Sequence, residues 1–188
     1  MSFDGENAFR YLQKMAVEVG TRPSGSALEK KTADWVLSEF TKMGLNAWIE
    51  EFEVTTGRVL SQKLEVLKPY KMDVGCEVMP LSGSTGAEGV TGGLLYLDNY
   101  DEEYVSEEVE GKIILTSGQP VDRDKSLRLL MKHKPLALIF IESTPKAMAK
   151  NLWGNPLAKK KYGNLPTARV TFEDGLKLIQ SGAELIHL

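Results

Sequence analysis

Leu136 to Ile141 is a run of six apolar residues, and both parities of the run are equally apolar. A strand with one face in water alternates apolar with polar residues, so this pattern demands a central strand covered on both faces. The flanking sequence supplies what such a strand needs. Lys112–Leu115 reads as a second strand. Asp124 to His133 carries Leu127, Leu130 and Met131 at helical spacing and stops at Pro135. Strand, helix and strand in that order imply a right-handed parallel crossover, and hence an α/β fold.

The rest of the chain is read against that centre. Ala8, Phe9, Leu12, Met15, Ala16 and Val19 repeat at helical spacing, with Gly20 as the stop. After the loop Thr21–Gly25, Ser26-Ala27-Leu28-Glu29 is a capping box in which the glutamate is expected to reach back to the cap amide. It opens a helix striped by Leu28, Ala33, Val36, Phe40 and Met43 and closed by Gly44. Trp48, Phe52 and Val54 share one parity of a strand predicted over Leu45–Val54. That strand has no partner nearby in sequence, so something must cover it. Further strands are predicted at Leu60–Val66, Val74–Leu81, Gly92–Leu97 and Ala168–Phe172. A helix capped by Thr171 and a final strand from Ala183 follow, with loops at Ser82–Gly89 and Asn151–Asn164.

Composition narrows the chemistry. The 188 residues hold two histidines, His133 and His187, and one cysteine, Cys76, so no internal disulfide and no cysteine zinc cage can form. The longest apolar run is strand-sized, far short of the roughly 20 residues of a membrane-spanning helix. With no basic, apolar leader at the start, a cytoplasmic protein is expected. Net charge is −3, unevenly spread: Asp98–Glu110 has seven acids and no base, whereas Asp122–Tyr162 has ten Lys/Arg against three acids. The basic residues are scattered over a helix and loops, and Lys159-Lys160-Lys161 is too short for an arginine-rich arm. A solvated surface is therefore expected in place of a nucleic-acid face.

The usual catalytic signatures are missing from the sequence. There is no His-Glu-x-x-His and no Gly-x-Ser-x-Gly. The glycines at 83, 86, 89, 92 and 93 precede a strand, whereas a phosphate loop must deliver helix amides to the anion. His133, beside Lys132 and Lys134, reads as a surface histidine at a helix end. His187 reads as a buried or edge-strand histidine, Cys76 as a small hydrophobe, and the acids at 101–103 and 107–108 as a solvated loop without calcium-loop spacing. No catalytic, cofactor-binding or metal-ligating residue is assigned.

Two stretches resemble a known family. Leu12 to Val54, with Gly20-Thr21-Arg22-Pro23-Ser24-Gly25-Ser26, Glu29, Ala33, Leu37, Gly44-Leu45 and Glu51-Phe52, is similar to the start of M28-family zinc aminopeptidases. In those enzymes such a turn joins two helices leading to the first catalytic-domain strand. Gly89–Leu97, Val109–Leu115, Leu136–Ile141 and Leu165–Leu176 resemble a protease-associated (PA) domain, a module inserted in M28 enzymes after that strand. Lys134-Pro135 departs from the Gly-Ala usual before the buried strand of PA domains.

The resemblance implies an incomplete peptidase segment at 1–54, a PA-like β/α lobe at 55–183 and a return strand into the peptidase domain at 184–188. It also implies a parent with two zinc ions, whose ligands begin with a His-x-Asp motif that neither His133-Lys134-Pro135 nor His187-Leu188 matches. The chain is then expected to be inactive alone, to shape access for a peptide substrate, and to have the missing catalytic domain as its partner. Self-association, or the PA-like lobe, is expected to cover the apolar faces around Trp48. The other readings are a stand-alone PA-like interaction module and, against the missing glycine fingerprint, a cofactor-binding α/β domain.

Overall fold

The structure, a computed structural model, describes residues 3–79, 81–118, 120–143 and 163–188. The loop expected over Asn151–Asn164 lies outside the described residues up to 162, as does Lys159–Lys161. The chain divides into two compact units, Met1–Thr56 and Gly57–Leu188.

In the first unit, helix α1 spans Gly5–Gln13, with the Asp4 carboxylate accepting the amides of Glu6 and Asn7. The single helix expected through Val19 changes character at Lys14, where a π-helical turn, Lys14–Val19, takes over. Its last bond runs five residues back, from the Gly20 amide to the Met15 carbonyl, with Gly20 at φ +71°. The Arg22 guanidinium then donates to the carbonyls of Met15 and Gly20, at 3.0 and 2.9 Å. It thereby gives the Met15 carbonyl a second donor and supplies one to the Gly20 carbonyl just past the helix end.

Helix α2, Ala27–Lys42, starts on Ser26, whose hydroxyl accepts the Glu29 amide at 3.1 Å. The expected capping box is shifted by one residue. The Ser26 amide donates to the Pro23 carbonyl, so the Glu29 carboxylate accepts from Gly25 instead. At the other end, Leu45 donates to Phe40 and Gly44, at φ +76°, donates to Thr41: the two bonds of a Schellman stop.

Polar and aromatic groups join the two helices. Tyr11 donates to the Glu39 carboxylate at 3.0 Å, and its ring lies 5.7 Å from that of Trp35. Thr32 is the one buried residue of α2, while Leu28, Phe40 and Met43 of the expected stripe are exposed. The strand expected over Leu45–Val54 does not form. Among the described residues, no backbone group of 46–56 enters a hydrogen bond, and of residues 45–56 all but the half-buried Ala47 are exposed.

The second unit is built on one eight-stranded mixed sheet. Its strands are β1 Leu64–Lys68, β2 Met72–Val74, β3 Glu77–Val78, β4 Thr91–Leu97, β5 Lys112–Thr116, β6 Ala137–Ile141, β7 Thr167–Val170 and β8 Leu185–His187. The order is β2-β1-β8-β4-β5-β6-β7-β3, with β4 to β7 parallel and the other pairs antiparallel. The single stretch expected at Val74–Leu81 is split, and its halves lie at opposite edges of the sheet.

Only Gly75 and Cys76 separate those edges in the chain. Three residue steps reach about 10 Å at most, whereas eight flat strands span about 34 Å. The sheet must therefore curl until its two edges approach each other. The residues expected to form a return strand lie in this sheet: Leu185–His187 pairs with β1 on one side and β4 on the other, joining the β1–β2 hairpin to the parallel block.

The double-faced apolar pattern of β6 has its predicted cause. All five residues of β6 are buried, and the strand is parallel to both neighbours. Ile113, Leu115, Ile139, Ile141 and Val170 face one core together with Leu178 of helix α4, Phe172–Gln180. Ile114, Leu138 and Phe140 face the other with Leu127 and Leu130 of helix α3, Arg123–Lys132. Side chains accept amides at both helix starts, Asp122 for Lys125 and Thr171 for Asp174. Phe172, expected at the end of a strand, is the first residue of α4 because the Thr171 hydroxyl opens the helix there.

Candidate functional site

The most buried charge among the described residues is Arg169, on β7 and 3% exposed. Strand register sets it beside Phe140 of β6 and opposite Glu77 of β3. Its guanidinium meets the Glu142 carboxylate at 3.1 Å and that of Glu77 at 3.7 Å. One cation between two carboxylates is already neutralised, and this arrangement ties β3, β6 and β7 together at the sheet edge. No reading of the sequence singled out Arg169. The available signal was a lone arginine in the otherwise uncharged strand Thr167–Val170.

A second polar cluster follows the carboxyl end of β4, where α/β sheets commonly place ligands. Here the acidic stretch is built into the fold. Asp101 accepts the Ser126 hydroxyl at 2.9 Å and the Val121 amide at 3.2 Å. Lys125 bridges to Glu102 at 2.5 Å and holds that carboxyl below its ordinary range. The acidic segment thus meets the basic helix α3, so part of the charge asymmetry seen in sequence is resolved locally.

Tyr100 beside it is completely buried, its ring edge-on to Phe140. Among the described residues no group reaches its hydroxyl with hydrogen-bonding geometry. Burial pushes the phenol up to about 12, against a smaller opposing effect of the Arg123 guanidinium.

The residues weighed in sequence take structural places. His133 caps the carboxyl end of α3, where a cation suits the helix dipole. His187 lies inside the sheet, opposite Glu65 of β1 and Thr91 of β4, with its Nδ1 2.8 Å from the Thr91 hydroxyl. Cys76 is buried, which pushes its thiol up, away from a reactive thiolate. The glycine-rich loop packs on backbone: a Cβ on Gly83 would fall 2.6 Å from the Leu165 carbonyl carbon. The Gly20–Ser26 motif is spent on ending one helix and starting the next, through Arg22, Gly25 and Ser26.

Among the described residues no three of His, Cys, Asp or Glu gather as a metal ion would require. Nor is any helix among them long and apolar enough to cross a membrane.

No protein-family model matches the chain, and no curated protein matches it in sequence. Solved structures do match in fold. The zinc aminopeptidase BSAP from Bacillus subtilis aligns at a TM-score of 0.77 and 21% identity, over 99% of this chain and 43% of its own. A Peptidase M28 precursor from Shewanella amazonensis SB2B aligns at 0.66 and 15%, over 95% and 45%. An aminopeptidase from Aneurinibacillus sp. strain AM-1 aligns at 0.63 and 18%, over 98% and 43%. At such identities the likeness is one of fold, and this chain spans less than half the length of the structures it matches.

Proposed function

We propose that this chain is the non-catalytic N-terminal portion of an M28-like zinc aminopeptidase. In this reading the second unit is a PA-like lobe that narrows access to a peptide-end site built by the rest of the parent, and the first unit belongs to the peptidase domain. The observation that carries it is coverage: the fold match runs over 99% of this chain but over 43% of BSAP. The described residues do not fit zinc. His187 is engaged with Thr91 within the sheet, His133 ends a helix, and no third ligand gathers with either. The two zinc ions and the general base of such a parent would therefore lie on its remaining residues, and no catalytic step is assigned to this chain.

This chain's own contribution is a rigid wall. The second unit owns apolar cores on both faces of its sheet and locks its edge with Arg169. That self-sufficiency also favours the second reading, a stand-alone PA-like interaction module. Two measurements separate the readings. The purified 188-residue chain should hold no stoichiometric zinc by elemental analysis and release no nitroaniline from aminoacyl anilides; two tightly held zinc ions, or turnover, overturn the proposal. Continuation of the reading frame into a His-x-Asp strand supports the peptidase parent, and a frame without one leaves the interaction module.

A further inference from the structure

The strand expected from Leu60 begins at Leu64, although residues 57–63 already belong to the second unit. In the pairing of β1 with β2, Leu64 faces Val74, Glu65 faces Asp73 and Val66 faces Met72. Carried backwards on that register, the chain sets Gly57 opposite Leu81. The structure brings these two together: a Cβ on Gly57 would fall 2.9 Å from the Leu81 nitrogen and 3.1 Å from its Cδ2. Between them, the Gln62 side-chain carbonyl accepts the Val78 amide at 3.1 Å. Residues 57–63 therefore run antiparallel along β3, as residues 64–66 run along β2.

This placement decides how the curled sheet ends. In the pairing of β3 with β7, Glu77 faces Arg169 and Val78 faces Ala168, and the Met79 amide donates to the Thr167 carbonyl at 2.9 Å. Residues of an antiparallel pair alternate between exchanging both backbone bonds and exchanging none. The Val78 amide, next to Met79, thus points away from β7, into the edge where another strand would pair. Gln62 meets it there. One continuous run, 57–68, lies on β3 with its first part and on β2 and β8 with its second, so the two ends of the sheet are joined through it. The joint is unlike the ladders elsewhere. Among the described residues, the backbone of 57–63 enters no backbone–backbone hydrogen bond, and the seam is held by a side-chain acceptor and a glycine seat. A piece held by so few contacts opens at lower free energy than strands buried in a core.

We propose that residues 57–63 are a strap that closes the curled sheet into a barrel and opens as one piece ahead of the ladders. Gln62 is its latch on β3, and Gly57 is its seat on Leu81. The strap begins at the boundary with the first unit, so the covalent path from residues 1–56 into the sheet enters through it. The inference uses contacts inside the second unit alone and does not rest on the peptidase reading.

Amide hydrogen exchange of Val78 and Met79, resolved by NMR in the full 188-residue chain, reads the latch and the ladder separately. In the wild type the Val78 amide should be protected, yet exchange faster than that of Met79. Gln62→Leu removes the acceptor and should speed Val78 exchange roughly three- to tenfold. Exchange of Met79 and the melting of the second unit should not change. Gln62→Glu keeps an acceptor in place and should retain the protection. Gly57→Ala sets a methyl against the Leu81 backbone, away from the latch, and should speed Val78 exchange by a similar factor because the strap lifts as a unit. Free exchange of Val78 in the wild type overturns the proposal. An unchanged Val78 in Gly57→Ala overturns it too, by reducing Gln62 to a local cap. So does loss of Met79 protection in step with Val78 in either the Gln62→Leu or the Gly57→Ala chain, which would make the segment one with the ladder.

Discussion

Tyr100 shows how a single buried polar atom carries a measurable consequence. Its hydroxyl finds no hydrogen-bond geometry among the described residues, and burial raises the phenol from 10 to about 12. A raised pKa in the folded state means that the native protein keeps a proton which the unfolded chain releases. The resulting stabilisation is complete below pH 10 and is lost as pH rises from 10 towards 12. A shift of that size corresponds to about 2–3 kcal/mol. Tyr100→Phe has no such proton to lose. At neutral pH the substitution should change stability by no more than about 1 kcal/mol, since it removes a hydroxyl that is poorly satisfied. Urea melts of the two proteins at neutral pH and near pH 12 test this. The phenylalanine variant should gain about 2 kcal/mol on the wild type across that interval, and an unchanged difference would assign the alkaline loss to other groups.

Among the elements, β3 is the one whose existence depends most on one side chain. Two residues long, it pairs only with β7 and is pinned there by the Glu77–Arg169–Glu142 arrangement. Arg169→Met keeps the length of the side chain and removes its charge, leaving two partly buried carboxylates facing an apolar group. A loss of about 2–4 kcal/mol is expected, below the full penalty for a buried pair because Glu77 retains some contact with water. Hydrogen exchange should show the loss first at Met79, whose amide donates to the Thr167 carbonyl. Uniform loosening of β4 to β6 with that amide still protected would count against a local lock.

These elements also mark how far the sequence could be read. β4, β5, β6 and α3 were legible because their signals are local: alternation or its absence, helical spacing of apolar residues, a proline stop. The placing of β2 and β3 at opposite edges was not, because it depends on the sheet curling over eight strands. The inclusion of β8 between β1 and β4 depends likewise on partners about 95 and 120 residues earlier in the chain. The segment 45–54 misled in the opposite sense. Its pattern is that of a strand, but a pattern supplies no hydrogen-bond partner. As for a site, the scarcity of histidine and cysteine was plain in the sequence, and Arg169 was not, since its partners, Glu77 of β3 and Glu142 just past β6, are distant in the chain.

At the scale of the whole chain, the two units differ in what holds them. Every residue of both apolar cores lies between 64 and 188. In the first 56 residues, Thr32 is the only described residue that is buried, while Phe9, Leu12, Phe40, Trp48 and Phe52 are exposed. Apolar burial is the dominant favourable term in folding, so the second unit should carry the stability of the chain. A 57–188 fragment should therefore unfold in one cooperative transition close to that of the full chain. A 1–56 fragment should give at most fraying helix, because well-capped helices of 9 and 16 residues without a buried face are marginal in water. Near-ultraviolet circular dichroism and urea melts of the two fragments decide the matter. A cooperative transition in 1–56 would show that the Tyr11–Trp35–Glu39 contact is a core in its own right, and failure of 57–188 to fold would show that its sheet needs the helices. If both fragments behave as expected, the exposed apolar surface of the first unit is surplus to the stability of this chain. Its composition would then have to be explained by association outside these 188 residues.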